Sequence, residues 1–309
     1  MKAMQLYQSP EGVSLHLGRV AEPTPGKAEV LIQVHAAGVT PTELDWYPTT
    51  HSKAGAKREN AIPGHEFSGT IVAFGEDVTS FTLGQSVYGM NDWFAEGATA
   101  EFCLTIPTSI APKPATLTHA EAATIPIGAL TAWQGLFDHA KLQPKQRVLI
   151  HGGAGAVGIF AVQLAHNHGA YVIATASTPT LDLVKQLGAD EVIDYKTSRF
   201  QDLVHEIDVV FDTVGGETRD LSWPILKPEG RMITIAADAE TSTDPRAKES
   251  FFIVEPSQTQ LIEIAKLLDA GSLKTFVSAA VPLDDAAAAY AKTISQKLGY
   301  GKVVITLAD

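Results

Sequence analysis

The spacing of hydrophobic positions changes period within residues 148–165. Val148-Leu149-Ile150 is a short apolar run of strand length, and beyond a glycine-rich stretch Val157, Ala161, Leu164, Ala165 and His168 recur at helical spacing. The glycines therefore sit where a buried strand hands over to a helix. The alternation continues downstream. Tyr171-Val172-Ile173-Ala174-Thr175 reads as a second apolar strand, and Leu181 to Leu187 reads as a helix stopped by Gly188. Glu191–Asp194, Asp208–Asp212 and Arg231–Ile235 read as three more strands, and Phe251-Phe252-Ile253-Val254 as a sixth. Leu261, Ala265 and Leu268 place an apolar stripe on a following helix that Gly271 ends. Strands alternating with helices predict a parallel, doubly wound sheet covered on both faces.

The texture before residue 124 is different. Val30, Ile32, Val34 and Ala36 fall on one face of a strand, and the runs Gly69–Gly75, Ser86–Gly89 and Ala100–Pro107 are short strands bounded by glycine or proline. This spacing predicts an antiparallel, barrel-like unit. Thr118, with Glu121 three residues on, predicts a capping box, and the small-residue run Gly128-Ala129-Leu130-Thr131-Ala132-Trp133 leads into a helix. Beyond Leu273 the tail carries Val277, an alanine-rich helix from Asp284 to Lys292 and a strand from Lys302 to Leu307. The expected organisation is a first part over residues 1–124, a nucleotide-binding part over 125–270, and a return to the first part over 271–309.

A length of 309 residues accommodates two cores. The formal net charge of -12 disfavours nucleic acid or an anionic membrane as partner. An anionic cofactor must then be held by local backbone geometry. The single cysteine, Cys103, lies mid-strand and reads as a small buried hydrophobe. With no disulfide available, no positively charged leader ahead of an apolar run and no apolar run of membrane-spanning length, a cytoplasmic protein is expected.

Gly153-x-Gly155-x-x-Gly158 is the candidate phosphate cradle, offering the backbone of Gly153, Ala154, Gly155, Ala156, Val157 and Gly158 to a pyrophosphate at a helix N-terminus. An enzyme that selects NAD usually carries an acid at the end of the second strand of this unit. Here that strand ends Thr175-Ala176-Ser177-Thr178, so the hydroxyls of Thr175 and Ser177 are candidate contacts to a 2′-phosphate. NADPH is the expected cofactor, with NADH the alternative. Ile235 and Ala236 end the fifth strand at the sheet's ligand edge; Phe252 falls there by the same logic, with core packing as its other reading.

The chain resembles the medium-chain dehydrogenase/reductase superfamily, in its zinc-independent quinone oxidoreductase-like branch. The likeness rests on Ala37-Gly38-Val39-Thr40-Pro41, Pro63-Gly64-His65-Glu66-Phe67-Ser68-Gly69, Leu130-Thr131-Ala132-Trp133, residues 148–165, Leu187–Asp190 through Asp194-Tyr195-Lys196, Asp212–Gly216 and Gly301–Val304. It implies a GroES-like, β-rich catalytic domain into which a Rossmann domain is inserted. Zinc-dependent relatives carry a cysteine where this chain has Thr40, and the resemblance leaves His65 and Glu66 as buried hydrogen-bonding groups beside the cleft. Glu43, Asp45 or His51 could in principle rebuild a metal site. The resemblance places Thr40 near the nicotinamide and marks Tyr195 as a further contact.

Without a metal, hydride transfer suits an acceptor that spreads its own charge, a quinone or an α,β-unsaturated carbonyl. Thr40 and Tyr47 are the candidate proton donors; Tyr47 and Trp46 have a second reading as pocket walls. Thr131 has two readings, as a residue facing the nicotinamide and as a helix cap. Lys302 is either a phosphate partner or a solvated charge. Two other functions stay open: a zinc alcohol dehydrogenase with atypical ligands, and an NADPH-binding protein without turnover. The partners expected are a small-molecule substrate and a second copy, paired through the Phe251–Val254 edge.

Overall fold

Residues 30–38 fold as their alternation requires: Val30, Ile32, Val34 and Ala36 are buried on one face of a strand that organises the first sheet. The computed structural model describes residues 1–9, 12–296 and 298–307, so Pro10, Glu11, Lys297 and the last two residues of the 271–309 tail lie outside the described residues. Strands β1 (Lys2–Ser9) and β2 (Gly12–Arg19) pair as an antiparallel hairpin. Next come β3 (Val30–Gly38), a short helix α1 (Tyr47–Thr50), β4 (Glu66–Phe74), β5 (Ser86–Met90), β6 (Phe102–Thr105) and β7 (Ile110–Pro112). The capping box forms: the Thr118 hydroxyl accepts from the Glu121 amide, and Glu121 accepts from the Thr118 amide at 2.8 Å, opening α2 (His119–Ala122).

Helix α3 (Pro126–Trp133) is built from the small-residue run itself and loosens into a π-helical turn over Gln134–His139. The second sheet then forms from β8 (Arg147–Ile150), β9 (Tyr171–Ala176), β10 (Glu191–Asp194), β11 (Ile207–Asp212) and β12 (Leu226–Thr234), all parallel, in the order β10-β9-β8-β11-β12. Helices α4 (Gly158–Asn167), α5 (Leu181–Gln186), α6 (Gly216–Asp220), α7 (Pro245–Ser250) and α8 (Gln258–Asp269) accompany it. This is the Rossmann order, which reverses between β8 and β11. The chain returns through β13 (Val277–Pro282), α9 (Ala286–Tyr290) and β14 (Lys302–Thr306), and β14 pairs with β3. The seven-stranded sheet thus runs β13-β14-β3-β4-β5-β7, with β6 also on β3. It is a GroES-like β domain joined to a Rossmann sheet.

Leu261, Ile264 and Leu268 bury one face of α8, each contributing roughly 1.5–3 kcal/mol of hydrophobic stabilisation. Hydrogen bonds tie the β domain to the Rossmann part: the Tyr88 hydroxyl of β5 donates to the Leu261 carbonyl of α8 at 2.6 Å, and the Trp93 indole donates to the Val254 carbonyl at 3.1 Å.

The expected sixth strand does not form. Phe251 makes only a single bridge to Thr234, because the backbone beyond it is engaged elsewhere. The Val254 carbonyl takes the Trp93 indole, and the Glu255 amide and carbonyl are both held by the Gln134 side chain. Lys302 also departs from expectation: neither a solvated charge nor a phosphate partner, it is buried and ion-paired with Glu66.

Candidate active site

The glycine turn lies at the sheet's C-terminal edge, between β8 and α4. Gly152 takes a left-handed backbone (φ +73°), and the Gly153 amide hangs on the Thr175 carbonyl at 2.8 Å, tying the turn to the end of β9. A Cβ on Gly158 would stand 2.0 Å from the Gly152 carbonyl oxygen, so only glycine lets the helix start so close beneath the turn. Gly153 and Gly158 are buried while Gly155 and Ala156 are exposed at the crest. The positive end of α4 is directed there. This cradle fits a dinucleotide's pyrophosphate. Gly128 of α3 completes it, since a Cβ there would meet the Ala156 carbonyl at 2.4 Å.

Buried side chains beneath the turn hold it. His151 contacts the Thr175 hydroxyl at 3.2 Å through Nδ1 and the Ser222 hydroxyl at 2.9 Å through Nε2. Burial pushes the His151 imidazole down to about 4, partly opposed by the charge of Asp212. Thr213 donates to the His151 carbonyl at 2.7 Å. Asp212 accepts from the Val214 and Gly215 amides and from the Thr234 hydroxyl, fixing the turn after β11. Ala236 packs beside that turn, its Cβ 2.6 Å from where a Gly215 Cβ would lie, and Ile235 is bonded to the Asp212 carbonyl. Both end up against the turn that follows β11, which carries the exposed Val214.

Several candidate contacts have other roles. Thr175 is buried and its hydroxyl serves His151 and the Gly152 amide, so it braces the turn from beneath. Thr131 is neither a cap nor an open donor, since it is buried and donates to the Ile127 carbonyl of its own helix at 2.6 Å. Phe252 takes its core reading, packed on His139 with ring centroids 4.4 Å apart. Ser177 is half-buried, and Tyr195 is exposed beside it, its amide bonded to the Ala176 carbonyl.

On the β-domain side, Thr40 follows β3 and its side chain caps nothing. Tyr47 is exposed and stacked on His51, with centroids 4.4 Å apart. Trp46 and Trp93 meet edge to face at 5.4 Å, and both rings lean on His65. Beneath them is a buried network that spacing along the chain gave no sign of. Glu43 receives the Tyr290 hydroxyl at 2.6 Å through Oε1 and meets His65 Nδ1 at 2.7 Å through Oε2. His65 Nε2 is 3.0 Å from the Trp93 carbonyl oxygen. Glu66 is ion-paired with Lys302 and accepts from the Ile127 amide at 3.0 Å. Burial raises the Glu66 carboxyl, with Lys302 pulling the other way, and burial beside Glu43 raises the Tyr290 phenol.

These residues do not suit zinc. His65 Nε2 lies 3.0 Å from the Trp93 carbonyl oxygen and Nδ1 2.7 Å from Glu43 Oε2, so both ring nitrogens already face protein oxygens. Thr40, which follows β3, offers a hydroxyl and no thiolate. Cys103 is buried in β6 with its thiol pushed up to about 12 by burial, and is no thiolate. Glu43, Asp45 and His51 assemble nothing in their place: among the described residues, no three His, Cys, Asp or Glu side chains are grouped to hold a metal ion.

Residues 26–149 match the alcohol dehydrogenase GroES-like domain, and residues 187–305 match a domain described as a zinc-binding dehydrogenase. The chain is 30% identical to the quinone oxidoreductase of Mus musculus, covering 99% of this chain and 98% of that one. It is 31% identical to a probable zinc-binding mitochondrial oxidoreductase of Arthroderma benhamiae, covering 92% and 91%. Its structure resembles that of the quinone oxidoreductase from Coxiella burnetii with a TM-score of 0.86 at 28% identity, covering 100% of this chain and 99% of that one. The glycine turn between β8 and α4, together with these likenesses, places the chain in the medium-chain dehydrogenase/reductase superfamily as a quinone oxidoreductase-like oxidoreductase.

Proposed function

We propose that the chain is a zinc-independent oxidoreductase that moves hydride between NAD(P)H and a quinone or an α,β-unsaturated carbonyl. The observation that carries this reading is the closure of the metal position. The His65 nitrogen a metal would need is spent on the Trp93 carbonyl, while the nucleotide turn is intact. A bound nicotinamide supplies the hydride. Gly152 to Gly158 and the α4 N-terminus hold the pyrophosphate, and Val214, Ile235 and Ala236 border the sheet edge at the reversal point. Trp46 and Trp93 supply flat walls that orient a planar acceptor and exclude water. The proton that completes reduction comes from Thr40, Tyr47 or solvent. Without a Lewis acid, an acceptor that delocalises its own charge is the one such a site can reduce.

The reading extends to the assembly. The edge of β12 beyond Phe251 is left open beside an exposed Ile253, which fits pairing of two copies, and light scattering would then return twice the 32.9 kDa chain. A cytoplasmic setting accords with a single, buried cysteine. Among the described residues no helix is long and apolar enough to cross a membrane. The deciding experiment follows NADH and NADPH oxidation against naphthoquinones, phenanthrenequinone, alkenals and simple aldehydes. Turnover of quinones or alkenals but not of aldehydes is expected. Cofactor binding with no oxidation of any acceptor would favour a binding protein instead.

A further inference from the structure

β9 ends with no acid in its own sequence, but the sheet supplies one from the neighbouring strand. β10 runs parallel to β9 with Asp194 opposite Ala176, the last residue of β9. This brings the Asp194 carboxylate to the turn where the adenine-side ribose of a dinucleotide is held in this fold. There the Thr178 hydroxyl donates to Asp194 Oδ2 at 2.5 Å, and the Lys196 amide donates to Oδ1 at 2.9 Å.

The other hydroxyls of the turn are equally committed. Thr180 donates to the Ser177 carbonyl at 3.0 Å, so the 3.2 Å contact between the Ser177 and Thr180 hydroxyls uses the Ser177 proton. The accessible hydroxyls of Ser177 and Thr178 have therefore given their protons to protein acceptors, while Thr180 is buried. What they present outward is lone pairs beside a carboxylate. A ribose hydroxyl can donate to that surface; a phosphate, which only accepts, cannot. The Thr178 hydrogen bond also holds the Asp194 carboxyl below its ordinary range, keeping the charge in place at neutral pH. The donors left at this edge belong to Tyr195 and Lys196, the two residues that follow Asp194.

We infer that Asp194 is a specificity-determining residue that acts against the 2′-phosphate, so the chain takes NADH at least as readily as NADPH. This rests on the nicotinamide-dependent reading above, and it replaces the NADPH preference that the strand end alone suggests. The test is a fluorescence titration of the purified, full-length protein with NADH and with NADPH, with no acceptor present. It uses wild type, Asp194→Asn and Thr178→Val. Wild type should bind NADH as tightly as NADPH or more tightly. Asp194→Asn should raise the affinity ratio of NADPH to NADH about tenfold, and less at high salt, as expected for removal of one like charge. Thr178→Val loses the hydrogen bond but keeps the charge, so its ratio should stay close to that of wild type. A wild-type preference for NADPH of tenfold or more overturns the inference, as does an Asp194→Asn ratio within twofold of wild type. So does an equal shift in both variants, which would mark a merely structural role for the turn. If neither nucleotide binds, the proposed function falls with it; if the ratios shift as stated and no acceptor is reduced, only the reductase reading falls.

Discussion

Gly158 and His151 carry the nucleotide turn from opposite sides, one by what it lacks and one by what it bonds. Alanine at 158 would set a methyl 2.0 Å from a backbone oxygen that no side-chain rotation can move. Gly158→Ala should therefore cost about 1–3 kcal/mol, read as a lowered urea midpoint, and weaken nucleotide binding at least about tenfold. Gly155→Ala, whose methyl comes no nearer than 3.2 Å, should be far milder. His151 gives a pH signature. Its folded value of about 4 lies below the ordinary 6.5, so at neutral pH both states carry a neutral imidazole and its stabilising contribution is complete. As pH falls below 6.5 the unfolded chain takes a proton the folded one refuses, and stability is lost down to pH 4. Urea unfolding at pH 7 and pH 4.5 should show a loss about 2–3 kcal/mol greater in wild type than in His151→Gln. Equal losses in the two proteins would contradict this. At this scale the sequence displayed the glycines, because their spacing is local. It concealed His151 and Asp194, whose roles depend on strands pairing across the sheet.

The same division holds for elements. The period change at 148–165 predicted β8, the turn and α4, and the Thr118 box predicted the start of α2, since each signal lies within one or two helical turns of chain. Phe251–Val254 has the composition of a strand and still fails to be one, because Trp93 takes the Val254 carbonyl from 161 residues away and Gln134 takes the backbone of the next residue, Glu255, from 121 residues away. The Glu66–Lys302 pair is equally remote in sequence and joins β4, β14 and the first turn of α3. Removing only the cation leaves a buried carboxylate without its partner. Lys302→Met should destabilise the protein by about 3–5 kcal/mol, and Glu66→Gln with Lys302→Met should recover much of that loss. Additive losses in the double variant, measured by urea unfolding, would show that the two residues do not act as a pair.

For the molecule as a whole, the β domain is tied to the Rossmann part by Tyr88 on α8 and Trp93 on Val254, and the return of β14 closes the first sheet against β3. A net charge of -12 leaves backbone amides and a helix end to hold an anionic cofactor, which the turn at 152–158 is shaped to do. The proposed difference from a zinc enzyme of the same fold is a small change in a shared frame. A threonine follows β3 at position 40, and a carbonyl oxygen faces His65 Nε2. The claim that hydride moves here without a metal is tested most directly by single-turnover oxidation of bound NADH by a naphthoquinone, before and after exhaustive dialysis against a chelator. The account predicts the same rate in both samples, and no gain on adding zinc. A rate abolished by the chelator and restored by stoichiometric zinc would contradict it.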